Sequence, residues 1–291
     1  SAASDVYKRQ ALCEERNQKI CDVAIEEEAK LNESTVEQIY QKFRENIQIM
    51  KQACNKTLEK EIPSISGLTS GMAKKLFDYM KKGSTVLSGD VLKGVAYSLS
   101  CFEVNTSMGR IVAAPTAGSC GILPACLFML AEKINADEDK LIKAFATAAS
   151  IGTIIEKNAT LSGAEGGCQA ECGSASAMAA AAMTEMLGGS VDQCLHAASM
   201  TITNVMGQVC DPIAGLVEIP CAKRNAIGVV NALLCTDLAM AGIKCFVPFD
   251  EVIDAMYEVG KSLPSELRET GLGGLAGTPT GIATRKKIFG E

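Results

Sequence analysis

Three cysteines stand among residues that a packed core does not favour. Cys168 follows two glycines in the stretch Asn158-Ala-Thr-Leu-Ser-Gly-Ala-Glu-Gly-Gly-Cys-Gln-Ala-Glu-Cys172. Cys210 precedes Asp211-Pro212, and Cys221 follows Pro220. Glycine and proline let a backbone turn tightly around a ligand. Thiolates are the soft ligands that hold iron–sulfur clusters and zinc. Cys221 falls at a predicted helix start, where the N-terminal field favours a thiolate. Spacing alone does not select these three from the 13 cysteines of the chain. Buried cysteine is more often a small packing residue, and that reading stays open at this point. Cys120 and Cys172 lie beside the same motifs and read as packing residues or as alternative ligands. The chain has no CxxC pair and a single histidine, so the common zinc patterns are absent.

Hydroxyls, amides and cations cluster in the remaining loops. Thr69 and Ser70 lie in the turn-rich run 64–71. Thr116, Gly118, Ser119 and Gly121 precede a predicted helix, where free N–H groups and hydroxyls make a natural anion site. Thr278 and Thr280 sit in a glycine-rich run over 270–281, which lacks the fingerprint of a phosphate loop. Asn158, Ser162 and Glu165 share the stretch of Cys168. Turn formation and capping are the ordinary roles of such residues. Lys223 and Arg224 offer positive charge, or simply solvate a helix. His196 lies inside a predicted helix between Leu195 and Ala197 and reads as a structural histidine.

The elements that must position these residues are helical. Val36, Ile39, Tyr40, Phe43, Ile47, Met50, Cys54 and Leu58 recur at helical spacing behind Ser34-Thr-Val-Glu37, which reads as a capping box. This predicts one long helix to about residue 60. Further helices are expected over 11–30, 72–82, 88–104, from 122, 138–156 behind Asp137, 172–186, from Asp192 to about 206, 222–240, and 251–260 behind Asp250. Period-2 alternation is nearly absent. The expected fold is all-α, with an N-terminal helical arm over 11–63 and a compact helical domain over 64–291. Residues 1–10 lack a starting Met and read as a fragment boundary or foreign sequence.

Composition narrows the function. The 291 residues are 47 % hydrophobic and 4 % aromatic, without Trp, so core volume must come from small aliphatic side chains. Net charge is 28 − 34 = −6, which disfavours a nucleic-acid partner. The apolar runs over 173–184 and 197–210 are rich in Ala, Ser and Thr and read as buried helices rather than membrane spans. The odd cysteine count and the absence of an export signal favour reduced thiols in the cytoplasm.

Three long motifs then carry a resemblance: Ala113-Ala-Pro-Thr-Ala-Gly-Ser-Cys-Gly-Ile-Leu-Pro-Ala125, Ser162-Gly-Ala-Glu-Gly-Gly-Cys-Gln-Ala-Glu171 and Cys210-Asp-Pro-Ile-Ala-Gly-Leu-Val-Glu-Ile-Pro-Cys-Ala-Lys-Arg-Asn225. Residues 67–75 and 271–281 also match. From about residue 30 onward the sequence resembles the α chain of the two-chain, iron–sulfur-dependent bacterial L-serine dehydratases. The resemblance implies a [4Fe–4S] cluster on Cys168, Cys210 and Cys221 and elimination of ammonia from L-serine to give pyruvate. It makes 64–291 the catalytic domain. Lys223, Ser119 and Ser162 become candidates for chemistry. Thr69, Ser70, Thr116, Gly118, Gly121, Asn158, Thr278 and Thr280 become candidates for substrate binding. A separate β chain is expected, in a hetero-oligomer with no membrane or nucleic-acid partner. The single-chain relatives carry a further domain ahead of the catalytic part, and some supply a C-terminal cysteine. Here the last cysteine is Cys245. The alternatives are a lyase of the same scaffold acting on another small hydroxy or amino acid such as L-threonine, and a non-catalytic structural subunit. A zinc hydrolase stands further off.

Overall fold

The computed structural model describes residues 6–290; residues 1–5 of the segment set aside above lie outside the described residues. The chain forms α1 (Val6–Arg16), α2 (Ile20–Leu31), α3 (Val36–Asn55), α4 (Met72–Met80), α5 (Gly89–Thr106), α6 (Ile122–Ile134), α7 (Glu138–Asn158), α8 (Gly163–Gly166), α9 (Cys168–Met186), α10 (Val191–Asn204), α11 (Cys221–Met240), α12 (Phe249–Ser262) and α13 (Pro279–Phe289). Short 3-10 turns fall at Ile213–Gly215 and Ser265–Leu267. The only β pairing among the described residues is an isolated parallel bridge between Cys210 and Arg268. The fold is all-α, as expected.

Helix α9 is the axis of the molecule. All its residues are buried, and α6, α7, α10 and α11 pack around it. Its small side chains let backbones approach. A Cβ at Gly228 of α11 would stand 3.0 Å from Ser176 Oγ, which instead donates to the Gly228 carbonyl at 3.0 Å. Helix α5 packs on α11, α6, α4 and α3, while α2 lies on α7. No helix among the described residues is long and apolar enough to cross a membrane.

Several ends differ from the sequence expectation. The helix predicted over 11–30 is two, α1 and α2, parted at Asn17, whose φ of 51° is left-handed. The capping box belongs to Thr35 and Gln38, one residue later than predicted. Helix α3 stops at Asn55 rather than near 60. Ser190 and Gln193 cap α10 in place of Asp192, which meets Lys244 instead. Pro248, not Asp250, precedes α12, and the tail folds as α13 behind a Thr278 cap. Ser, Thr, Asp and Asn compete closely as caps, so neighbouring candidates are hard to separate in a sequence.

Two helix starts are served from a distance by buried carboxylates. Glu185 of α9 accepts the N–H groups of Ile20 (2.8 Å) and Cys21 (3.3 Å) and the Thr147 hydroxyl. Glu103 of α5 accepts the Met72 N–H and the Thr57 hydroxyl, each at 2.6 Å, and so fixes the start of α4. Glu185→Ala strands buried donors and is expected to cost about 2–3 kcal/mol in urea unfolding; a change below about 0.5 kcal/mol, the level of an ordinary surface substitution, would remove this cap from the account. Burial raises the Glu103 carboxyl above its ordinary value. The folded chain then keeps a proton that the unfolded chain has lost. Its contribution is therefore complete below the ordinary carboxyl range and is lost as pH rises through the raised value. The stability of the wild type relative to Glu103→Gln should fall between acid and neutral pH, and a flat difference would contradict it.

Candidate functional site

The three thiols arrive on different backbone devices. Cys168 is the first residue of α9, earlier than the predicted start at Cys172. The one-turn helix α8 ends at Gly167, whose φ of 75° suits glycine, and a Cβ there would meet the Gln208 carbonyl at 2.7 Å. Cys221 opens α11 behind Pro220. Cys210 is pinned by its backbone: its N–H donates to Leu267 O at 2.9 Å, and its carbonyl accepts the Glu269 N–H at 2.7 Å. All three are buried, and none is in a disulfide. Ligand atoms of Cys168, Cys210 and Glu171 lie within 4.8 Å of one another. Cys172 Sγ is 3.9 Å from Cys168 Sγ, one helical turn on. Cys221 stands outside the tight group, although its thiol is still influenced by the Cys168 charge.

Among the thiols of this group, Cys168 is the one displaced downward. Hydrogen bonds from Cys172 and Cys210 hold it well below the ordinary thiol value against burial, and Arg224 adds attraction. Cys172 and Cys210 are correspondingly pushed up by that hydrogen bonding and by burial, and Cys221 is pushed up by burial and by the Cys168 charge. Arg224 also pairs with Asp211 at 2.8 Å and donates to Val209 O at 2.8 Å. Asp211 in turn accepts the Leu275 N–H at 2.7 Å, which ties down the C-terminal glycine-rich loop. Burial lifts Glu171 to about 7, against the Thr116 hydrogen bond. Glu269, also raised by burial, sits at a left-handed φ of 64°. A non-glycine residue there is strained, which is common where a side chain must be aimed.

The loop over 113–121 is locked onto this cluster. Thr116 donates to Glu171 and lies 2.9 Å from the Ser119 hydroxyl. A Cβ on Gly118 would come within 2.5 Å of Glu171 Oε1, so that carboxyl lies against bare backbone. Asn225, fully buried, joins loop to helix: its amide nitrogen donates to Gly118 O (2.7 Å) and Cys221 O (2.9 Å), and its oxygen accepts the Gly121 N–H (3.2 Å). Gly163 leaves space on the other side, where a Cβ would lie 3.1 Å from Cys210 Sγ and 3.2–3.3 Å from Glu269 and Glu171.

Thr69, Ser70 and Lys223 meet in a separate cavity of about 220 Å³ that reaches Pro220 and Ala222, the neighbours of Cys221. Ser162 precedes α8, half-buried, with no cap bond from its side chain. Other expected residues are engaged elsewhere. Asn158 donates to Ile154 O, Thr278 caps α13, and Thr280 faces a distinct cavity with Lys287. Glu165 accepts the Thr160 hydroxyl. His196 lies 3.5 Å from Asp192 in a cavity lined by Phe246 and Phe249. Glu171, Asp211, Glu218, Asn225 and Glu269 were not singled out in the sequence as site residues. The available signal was a carboxylate or amide interrupting an apolar or glycine-rich run.

A family model described as serine dehydratase alpha chain matches residues 15–276. The L-serine dehydratase, alpha chain, of Peptoniphilus asaccharolyticus is 52 % identical over 280 residues, covering 96 % of both chains. The probable L-serine dehydratase, alpha chain, of Bacillus subtilis is 49 % identical over 271 residues, 93 % of this chain and 90 % of that one. L-serine dehydratase TdcG of Escherichia coli is 44 % identical over 182 residues, 62 % of this chain and 40 % of that longer protein.

Asn225→Ala should leave an N–H and two carbonyls short of partners and cost about 2–4 kcal/mol. Amide hydrogen exchange over 113–121 should rise at the same time. Unchanged protection there would mean that the loop is held by something other than Asn225.

Proposed function

This chain belongs to the serine dehydratase alpha chain family, and on that premise we propose that it is the catalytic chain of an L-serine ammonia-lyase. The observation that carries the reading is the gathering of Cys168, Cys210 and Glu171 around one point beside Arg224, with Cys221 at a neighbouring helix start. The donor set suits a [4Fe–4S] cluster. Cys168 and Cys210 come together as buried, unbridged thiols with buried Cys221 in reach of their charge, one thiol is already inclined to ionise, and Gly163 leaves a cradle that a side chain would fill. A cluster is larger than a single ion, so Cys221 can serve it from outside the tight group. Cys168, Cys210 and Cys221 would hold it. When bound, the cluster supplies a Lewis-acidic iron with an open position for the substrate hydroxyl.

L-Serine loses its α-proton and its hydroxyl as water. The aminoacrylate released rearranges to the imine, and water converts that to pyruvate and ammonia. Atoms balance without an oxidant or reductant. The chain's own residues bind and orient. Arg224 offsets negative charge at the thiols. Asn225 holds Gly118 and Gly121, so that the 113–121 backbone keeps its shape beside Glu171. Thr116 and Ser119 present hydroxyls there, and Ser162 adds another at the start of α8. Thr69, Ser70 and Lys223 line the neighbouring cavity. Thr278 acts through the capping of α13, and Asn158 through its place on α7. A β chain is the proposed partner in a hetero-oligomer. A reducing cytoplasm suits 13 free cysteines.

Anaerobic co-expression with the β chain should yield about four irons per α chain and L-serine-dependent pyruvate. Air should remove both. Cys168→Ala, Cys210→Ala and Cys221→Ala should each lose iron and lower kcat by at least about 1000-fold, with the helical circular dichroism retained. Full iron content and activity in Cys221→Ala would end its ligand role, and a folded complex still metal-free after reconstitution would end the cluster reading.

A further inference from the structure

Glu218 is a buried acid without a basic partner. It is 6 % exposed and lines the 220 Å³ cavity together with Thr69, Ser70 and Lys223. Each of its oxygens accepts one hydroxyl, Ser66 at 2.7 Å and Thr69 at 3.1 Å. Among the described residues it forms no ion pair. The buried carboxylates Glu103 and Glu185 are occupied by helix-start N–H groups. Glu218 has no such N–H groups, yet a buried carboxylate is costly unless its charge is met.

The cavity has what such a charge calls for. Each carboxylate oxygen retains a second lone pair. An ammonium brings three donors and the compensating charge, in hydrogen bonds stronger than neutral ones. Lys223 lines the same cavity, is exposed, and forms no ion pair among the described residues. One unmatched anion and one unmatched cation in a small cavity describe the complement of a zwitterion. Ser66 and Thr69 then act as positioning residues that fix the Glu218 carboxylate.

We infer that this cavity recognises the two charged ends of a small α-amino acid, Glu218 taking the ammonium and Lys223 the carboxylate. The inference rests on the reading of the chain as an amino-acid lyase and adds the discrimination: a hydroxy acid of the same shape lacks the group that Glu218 requires. The lining of the cavity includes the neighbours of Cys221 on either side, Pro220 and Ala222. Substrate class would thus be read next to the proposed cluster.

The test is calorimetric binding to the α–β complex of three probes: L-serine, glycerate (a hydroxyl in place of the amine) and L-serinamide (no carboxylate). The wild type should favour L-serine over glycerate. Glu218→Gln should weaken L-serine by about 30-fold or more and leave glycerate nearly unchanged. Lys223→Met should weaken L-serine and glycerate alike and spare L-serinamide. Equal weakening of L-serine and glycerate by Glu218→Gln would reduce Glu218 to a structural role and overturn the assignment. Wild-type affinity for glycerate equal to that for L-serine would overturn it without any variant, so a misfolded Glu218→Gln does not rescue it. The expected binding pattern without pyruvate formation would sink the lyase reading and leave the recognition site standing. Pyruvate formation without the pattern would do the reverse.

Discussion

A half-buried cation, Arg224, is the contact on which the rest of the site depends. Its guanidinium pairs with Asp211, holds the Val209 carbonyl and lies beside the Cys168 thiol. Through Asp211 it reaches the C-terminal loop at Leu275. Helix α11, the start of α9, the segment carrying Cys210 and the last glycine-rich loop are therefore joined through one side chain. A buried ion pair is weak evidence for stability, because desolvation offsets much of the attraction. Its stronger effect is geometric. Arginine presents several donors in a fixed plane, so one residue can satisfy a carboxylate and a carbonyl and still favour a thiolate. A lysine at 224 would carry the charge without that fixed geometry.

Around this hub the molecule uses carboxylates that small side chains permit. Helix α9 is almost entirely Ala, Ser, Gly, Cys and Met apart from Gln169, Glu171, Thr184 and Glu185, and all of it is buried. Small residues bring α7, α10 and α11 close, at the price of a core with few large contacts. Glu171 and Glu185 lie near opposite ends of that helix and do different work. Glu185 satisfies backbone N–H groups at the start of α2. Glu171 packs tightly against the bare backbone of Gly118, lies close to Gly163, and accepts the Thr116 hydroxyl. The same chemical group thus meets backbone N–H groups near one end of the helix and bare glycine backbone near the other.

Much of this was legible in the sequence, and the limit is physical. Helix positions follow from local periodicity, so α3, α5, α6, α7 and α11 fell within a few residues of their expected places. Ends depend on a choice between adjacent capping residues, which is why Thr35 displaced Ser34 and Ser190 displaced Asp192. Helix α9 began at Cys168 rather than Cys172 because Gly167 takes a left-handed turn that no local pattern announces. The glycine-rich motifs drew attention to Thr116, Ser119 and Cys168, which do converge. They also drew in Thr278, Thr280 and Asn158, chosen by residue type and used for caps and helix faces. Glu218 and Asn225 lay inside a quoted motif, yet their roles depend on partners far away in the chain, in the 64–71 and 113–121 loops. A single sequence carries no signal for such pairings.

On the cluster reading proposed above, two helix starts and an arginine would balance the charge of the thiols. Three thiolates would bring three negative charges into a buried space. Cys168 and Cys221 each occupy the first residue of a long helix, where unpaired N–H groups favour negative charge. Arg224 adds a full positive charge. Glu171 and Glu269 act in the opposite direction, and burial raises both so that they resist ionising beside Cys168. Without a metal, the first thiol to ionise opposes ionisation of the next, as the opposed displacements of Cys168 and Cys210 indicate. A bound cationic centre removes that opposition and releases the remaining protons. The arrangement is therefore poorly matched to three free thiolates and well matched to thiols that share a positive centre. The opposed displacements alone do not single this group out, since Cys101 is lowered and Cys54 and Cys120 are raised in the same way within the packed core; the group differs in the adjoining Arg224 and the two helix starts.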